Sequence, residues 1–124
     1  MGGNLGTFTL LQGTAYRPSL ADALLVVEED ASAGPADVAR HLTSLLQLPD
    51  AGGITGVVIG RFQRASGVTR ALLEQILDRQ PLADGVPVLA GVDVGHTSPL
   101  VTLPIGGDAE LVVGDRCRFR LTRH

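Results

Sequence analysis

Three apolar runs, each closed by an acid or by glycine, limit most strongly what this chain can fold into. They are Leu24-Leu-Val-Val-Glu28, Ile54–Gly60 with Gly56-Val-Val-Ile59 at its centre, and Val88–Val92. A strand with one wet face alternates apolar and polar residues, whereas a run that is apolar at every position is covered on both faces, as in a parallel sheet. The segments between the runs have helical rather than strand periodicity. Pro35 fits a first helical turn, and Val38, Leu42, Leu45 and Leu46 share one face before Pro49 ends the pattern. Val68, Leu72, Leu73, Ile76 and Leu77 form a second such face, reaching about Arg79. The order βαβαβ with short connections predicts three neighbouring parallel strands joined by right-handed crossovers.

The flanks read differently. Asn4 is a good helix N-cap, and Leu5, Phe8 and Leu11 fall at helical spacing before Gly13, so a short helix is expected from Asn4 to Gln12. After Pro99, Leu100–Pro104, Glu110–Val113 and Cys117–Leu121 are short β runs separated by Gly106-Gly107-Asp108 and Gly114-Asp115, which are hairpin signals. The expected architecture is a small α/β domain over residues 1–124, with a βαβαβ parallel core and a carboxyl-terminal β-hairpin extension.

Composition narrows the function classes. With 124 residues the chain is sized for one domain, and 44% hydrophobic residues give it material for a core. Only 3% of residues are aromatic, too few for a base-stacking platform, and a net charge of −3 argues against binding a phosphate backbone. No nucleic-acid partner is expected. The single Cys117 excludes an internal disulfide and a multi-cysteine zinc site, and fits a reducing compartment. There is no apolar run of membrane-spanning length and no signal pattern, so a cytoplasmic protein without a membrane partner is expected.

Candidate chemistry gathers at the strand ends. Glu28 closes the first strand, and Gly95-His96-Thr97-Ser98-Pro99 forms a short loop beyond the third. In a parallel arrangement both side chains leave the sheet at one edge, where open α/β sheets usually bind and react. A carboxylate there can fix one imidazole nitrogen so that the other serves as a general base. The plainer readings are a solvated acidic turn for Glu28-Glu29-Asp30 and a turn-capping role for His96.

No serine is an obvious nucleophile. Ser98 is close in sequence to His96, Ser32 and Ser66 suit polar loops or caps, and none lies on a Gly-x-Ser-x-Gly elbow. Asp93, His96 and Glu28 could alternatively bind a metal, but Asp-x-x-His is weak spacing and neither a metal nor a cofactor is expected. Cys117 alternates with Phe119 and Leu121 and is expected to be core, with Arg116, Arg118 and Arg120 on a solvated edge. His41 and His124 are read as structural or incidental. Gly2-Gly3-Asn4 could offer an anion site at a helix start, but capping accounts for it.

Four segments in order give the chain a family resemblance: Gly2-Gly-Asn-Leu5 with Leu10-Leu-Gln-Gly-Thr14, Leu24-Leu-Val-Val-Glu-Glu-Asp30, Val57-Val-Ile-Gly-Arg-Phe62, and Pro87-Val-Leu-Ala-Gly-Val-Asp-Val-Gly-His-Thr-Ser-Pro99, continuing into Leu103-Pro-Ile-Gly106. Together they resemble the carboxyl-terminal domain of LD-carboxypeptidases, serine peptidases that include the microcin C immunity peptidases. The resemblance implies a swivelling β/β/α-like fold and a Ser–Glu–His triad whose serine lies in an amino-terminal Rossmann-like domain. Matched by motif, Glu28 takes the place of the family glutamate and His96 that of the histidine.

The implied protein is a cytoplasmic serine carboxypeptidase acting on a murein peptide or a peptidyl nucleotide. The resemblance covers only the carboxyl-terminal domain, so the chain is expected to lack the amino-terminal nucleophile domain and to be inactive alone. Asn4 and Asp93 are weaker candidates for shaping the cleft between domains. The loop after Glu28 lacks the aromatic-and-basic pattern of the cell-wall-recycling members, which favours the microcin-immunity-like branch. Loss of a partner domain predicts an uncovered apolar patch along Leu5, Phe8 and the strand exits, and hence a homo-oligomer. The alternative is a non-enzymatic ligand-binding or assembly module using the same sheet edge.

Overall fold

The chain is described by a computed structural model covering residues 1–123; His124 lies outside the described residues. Among the described residues, six strands and three α-helices follow the order β1 (Gly2–Asn4), α1 (Leu5–Thr9), β2 (Leu24–Glu28), α2 (Pro35–Leu46), β3 (Gly56–Gly60), α3 (Arg70–Leu77), β4 (Val88–Val92), β5 (Asp108–Val112) and β6 (Arg118–Arg123). The first four strands form one parallel sheet in the order β1-β2-β3-β4, and β5 and β6 pair separately as an antiparallel hairpin. The βαβαβ core and the hairpin extension are therefore both present.

Alternation along the central strands divides the interior in two. Leu25 and Val27 of β2, with Val57 and Ile59 of β3, point to the helical face and pack among Leu5, Phe8, Val38, Leu42, Leu45 and Leu73. Val26 and Val58 point the other way, into a smaller cluster with Val94, where Leu103, in the segment between β4 and β5, and Leu111 and Phe119 of the hairpin cover them. Both faces of β2 and β3 are thus dry, which is why their sequences are apolar at every position. Burial of these aliphatic side chains, at about 25 cal/mol per Å² of apolar surface, is what holds the layers together.

Pairing corrects four expectations. Gly2–Asn4 is a strand, added to β2 in the register Gly2↔Val26, Gly3↔Val27 and Asn4↔Glu28, so the first helix starts at Leu5 and not at Asn4. Its Gly-Gly-Asn sequence carries no β pattern, and its place comes from backbone bonds to β2. The α-helix is also shorter than expected, ending at Thr9, with turns as far as Gln12. The third core strand, β4, is a sheet edge: Ala90 and Gly91 are exposed and the rest of the strand only half-buried, so Val88, Leu89 and Val92 are not the sealed run their composition suggests. Leu100–Pro104 is no strand; it crosses the sheet as a strap without ladder partners.

Individual side chains moved as well. Leu72 is exposed on α3, leaving Leu73 as that helix's buried anchor. Cys117 is exposed and precedes β6, so it belongs to the hairpin turn and not to the core. The alternation expected after it does hold, with Phe119 and Leu121 half-buried and Arg118 and Arg120 exposed. Leu5 and Phe8 are buried against α2 and form no uncovered patch. The exposed large apolar side chains include Leu100, Val101, Ile105, Val112 and Val113, on the strap and the hairpin.

Candidate active site

Parallel pairing of β2, β3 and β4 brings their carboxyl ends to one edge, and the Glu28 and His96 side chains meet there. Nδ1 of His96 lies 2.7 Å from Oε2 of Glu28. A carboxylate can only accept, so Nδ1 carries the shared proton and Nε2 is left with its lone pair. Glu28 is 11% exposed, and His96 is 51% exposed. The acid is therefore shielded while the imidazole is open to a reactant. The hydrogen bond to Glu28, followed by that group's negative charge, raises the His96 pKa above its ordinary 6.5; Asp30 and Glu29 add to the rise, and slight desolvation opposes it.

Room for this pair comes from two missing side chains. Gly60, at the end of β3, has no space for a Cβ, which would stand 2.8 Å from the Cβ of Glu28 and 2.5 Å from the Val94 carbonyl. Gly95 has φ +99°, and a Cβ there would stand 2.7 Å from the Cβ and Cγ of Glu28 and strike its carboxylate. Only glycine meets both the backbone and the steric demand at position 95.

The loop carrying His96 is tied down at several points. Val101 N–H donates to the Asp93 carbonyl at 2.6 Å, closing the loop at its base. Arg61, directly after β3, donates from Nη2 to the Pro99 carbonyl at 2.6 Å and sets its Nε 2.8 Å from Asp93 Oδ1. Gln63 Nε2 donates to the backbone carbonyl of His96 itself at 2.7 Å. Neither Arg61 nor Gln63 was singled out from sequence, because nothing local shows that the exit of β3 runs beside the exit of β4.

The remaining candidates separate into local roles. Asn4 Oδ1 accepts from Thr7 N–H at 2.9 Å, the capping role expected of it, while its position in register with Glu28 places it on the same sheet edge. Asp93 is partly exposed and pairs with Arg61; among the described residues no cluster of three or more His, Cys, Asp and Glu side chains is placed to hold a metal. Ser32 donates to Asp30 Oδ1 at 2.5 Å, and buried Ser66 donates to the Gln63 carbonyl at 2.8 Å. Among the described residues no serine hydroxyl hydrogen-bonds to His96.

Glu29 does not join a solvated acidic turn. It is buried, accepts a hydrogen bond from Gly6 N–H, and lies 3.9 Å from Nδ1 of His41.

A shielded acid and an open imidazole thus meet at one edge of a parallel α/β sheet that carries a hairpin over one face. Comparison with known proteins supplies the family. The sequence profile described as the LD-carboxypeptidase C-terminal domain matches residues 1–111, and the chain belongs to that family. A Treponema pallidum protein carrying a provisional carboxypeptidase name is 42% identical over 94% of this chain and 35% of its own length. The crystal structure of an MccF-like protein from Bacillus anthracis superposes with a TM-score of 0.94 at 34% identity, covering all of this chain and 39% of that one. A muramoyltetrapeptide carboxypeptidase from Oxalobacter formigenes gives a TM-score of 0.77 at 29% identity, over 97% of this chain and 42% of its own. The chain thus spans a little over a third of the length of the first two curated relatives it matches.

Proposed function

We propose that this domain supplies the acid and the base of a Ser–Glu–His triad in a serine carboxypeptidase, with the nucleophile contributed by an amino-terminal domain. The 2.7 Å contact between His96 Nδ1 and Glu28 Oε2 carries the reading. It assigns the two nitrogens different jobs, and Glu28 and His96 are also the residues that match the family motifs. Nε2 of His96 would accept the proton of the serine hydroxyl as its oxygen attacks the scissile carbonyl. Glu28 stabilises the resulting imidazolium. The same proton then passes to the leaving amine, and a water activated by His96 releases the acyl group. A pKa raised by the carboxylate makes His96 a stronger base for the first transfer.

The substrate class is a murein peptide or a peptidyl nucleotide, in keeping with the names of the relatives. Asn4 and Asp93 stand at the rim of the same edge, suited to the wall of an interdomain cleft. Self-association of the isolated chain would use the exposed Leu100, Val101, Ile105, Val112 and Val113, and sedimentation at high concentration tests it: a monodisperse monomer removes the idea.

Reconstitution tests the triad. Joined to an amino-terminal domain bearing the serine, the parent should hydrolyse one of the two substrate classes. Glu28→Ala and His96→Ala should each lower kcat by about 10²–10⁴, the usual contribution of a positioned acid–base group. Activity unchanged by either substitution would remove the assignment and leave this edge as a binding surface. The chain alone should be silent, and hydrolysis that survives repurification would contradict that.

A further inference from the structure

We infer that Arg61 and Gln63 are positioning residues for the His96 base, fixing the imidazole by holding two carbonyls of its loop from the neighbouring strand exit. The inference rests on the Glu28–His96 reading and adds the device that makes this pairing geometrically defined. His96 sits on a loop between Val92, the last residue of β4, and Val101, where the backbone bond to the Asp93 carbonyl closes the base. A loop closed only at its base can still rock. Gln63 Nε2 on the His96 carbonyl, and Arg61 on the Pro99 carbonyl with Asp93 beside its Nε, grip it on both sides of the histidine.

Both grips originate in one rigid place. The Arg61 amide continues the β3–β4 ladder by donating to the Val92 carbonyl at 3.1 Å, which fixes where its side chain starts. Gln63 follows two residues later and leads into the short 3-10 turn Arg64–Ser66, itself pinned by the Ser66 hydroxyl on the Gln63 carbonyl. The sheet therefore transmits its own order to the imidazole. Glu28 arrives from β2 on the other side of β3, so the acid and the base are indexed to the same central strand. A displacement of about 1 Å in a reacting group can cost on the order of a hundredfold in rate, which gives such a clamp functional weight.

Titration of the His96 ring by NMR in the chain as it stands provides the test, with the Nδ1 resonance as a second readout. The charged groups acting on that ring are Glu28, Glu29 and Asp30 from the exit of β2, with the Arg61–Asp93 pair beside its loop. Glu28→Gln should lower the His96 pKa and shift Nδ1. Gln63→Ala is neutral, so it changes no charge; it should lower the pKa part of the way and broaden Nδ1 without altering the amide spectrum of the core. Gln63→Glu keeps the size and turns the donor into an acceptor facing the His96 carbonyl; its added charge by itself raises the pKa, so its readout is Nδ1, which should broaden more than in Gln63→Ala.

Arg61→Ala gives a diagnostic sign. Removing a cation by itself favours the protonated imidazole and raises its pKa, whereas a loosened loop lowers it, and a fall is expected. Arg61→Lys should recover part of the loss. In the reconstituted two-domain enzyme, Gln63→Ala should lower kcat about tenfold or more with KM nearly unchanged. The proposal is overturned if Glu28→Gln moves the His96 titration while the Gln63 and Arg61 variants leave it as in the parent. If Glu28→Gln itself moves nothing, the acid–base pairing fails and this inference falls with it.

Discussion

Two consecutive glutamates each approach a histidine, and the two encounters differ in nearly every respect. Glu28 leaves β2 on the face covered by the strap and hairpin and makes a 2.7 Å hydrogen bond to a half-exposed His96. Glu29 points to the helical face, where it is 4% exposed, accepts from Gly6 N–H at the start of α1, and stays 3.9 Å from His41 of α2 without a hydrogen bond. The first pair is shielded on the acid side and open on the base side, which suits proton transfer to an incoming group. In the second pair the acid is sealed by helices and its partner is a backbone amide, which suits holding α1 against the sheet. The same residue types, one position apart, thus face opposite sides of the sheet edge because successive side chains of a strand alternate faces.

The largest effect expected of a single small change is at Gly95. In the two-domain enzyme, Gly95→Ala should cut kcat by about a hundredfold or more, because the new methyl group meets the Glu28 side chain and the base loses its partner. The His96 pKa should fall in the same variant. An active Gly95→Ala enzyme with an unaltered His96 titration would show that the pair does not need this cradle.

Glu29→Ala should act on stability instead. Leaving the Gly6 amide without its buried acceptor costs about 1–3 kcal/mol, measurable by urea unfolding, while the His96 titration keeps its midpoint to within the small contribution of the Glu29 charge. If Glu29→Ala instead abolished activity in a stable two-domain protein, the division of labour between the two glutamates would be wrong. A smaller change follows from the helix that Glu29 secures. Asn4→Ala removes the cap on the Thr7 amide and should cost about 1 kcal/mol.

Smallest of all is the pH dependence of stability contributed by His96. Its folded pKa lies above the unfolded value, so the stabilisation is fully present below the ordinary 6.5 and is lost as pH rises through the folded pKa. The effect is modest because the ring is half in solvent. Unfolding curves across that window should show a decline in the parent that Glu28→Gln removes; a decline of equal size in both would assign it to another group. Asp30 acts in a separate, acidic window. Hydrogen bonds from Ser32 hold its carboxyl below the ordinary 3.8, so its contribution is present above that value and lost as pH falls through the folded pKa.

Much of this site was legible in the residues. Leu24–Glu28 is a strand with the bounds its apolar run implied, and the Glu28 carboxylate and the His96 imidazole do meet at one sheet edge. Other parts were not legible for identifiable reasons. Gly2–Asn4 has no strand-forming side chain, and β2 makes it a strand by offering an unsatisfied edge. Val88–Val92 reads as sealed because composition cannot tell a central strand from an edge. Leu5 and Phe8, read as an uncovered patch, are covered by α2 of the same chain. Glu29 looked solvated because it sits in an acidic triplet; only its parity with Leu25 and Val27, which pack on the helical face, reveals where it points.

The sequence by itself determined the alternation of strands and helices, the placing of an acid at the end of one strand and an imidazole just beyond another, and membership in the LD-carboxypeptidase C-terminal domain family. Those are properties of short segments, where apolar period and local residue chemistry suffice. Tertiary structure alone decided that β3 lies between the acid and the base, that Gly60 and Gly95 clear space for Glu28, and that Arg61 and Gln63 reach the loop of His96. Each of these depends on backbone ladders between strands far apart in the chain, and hydrogen-bond pairing over such distances is specified by the packed sheet as a whole and by no single stretch of it.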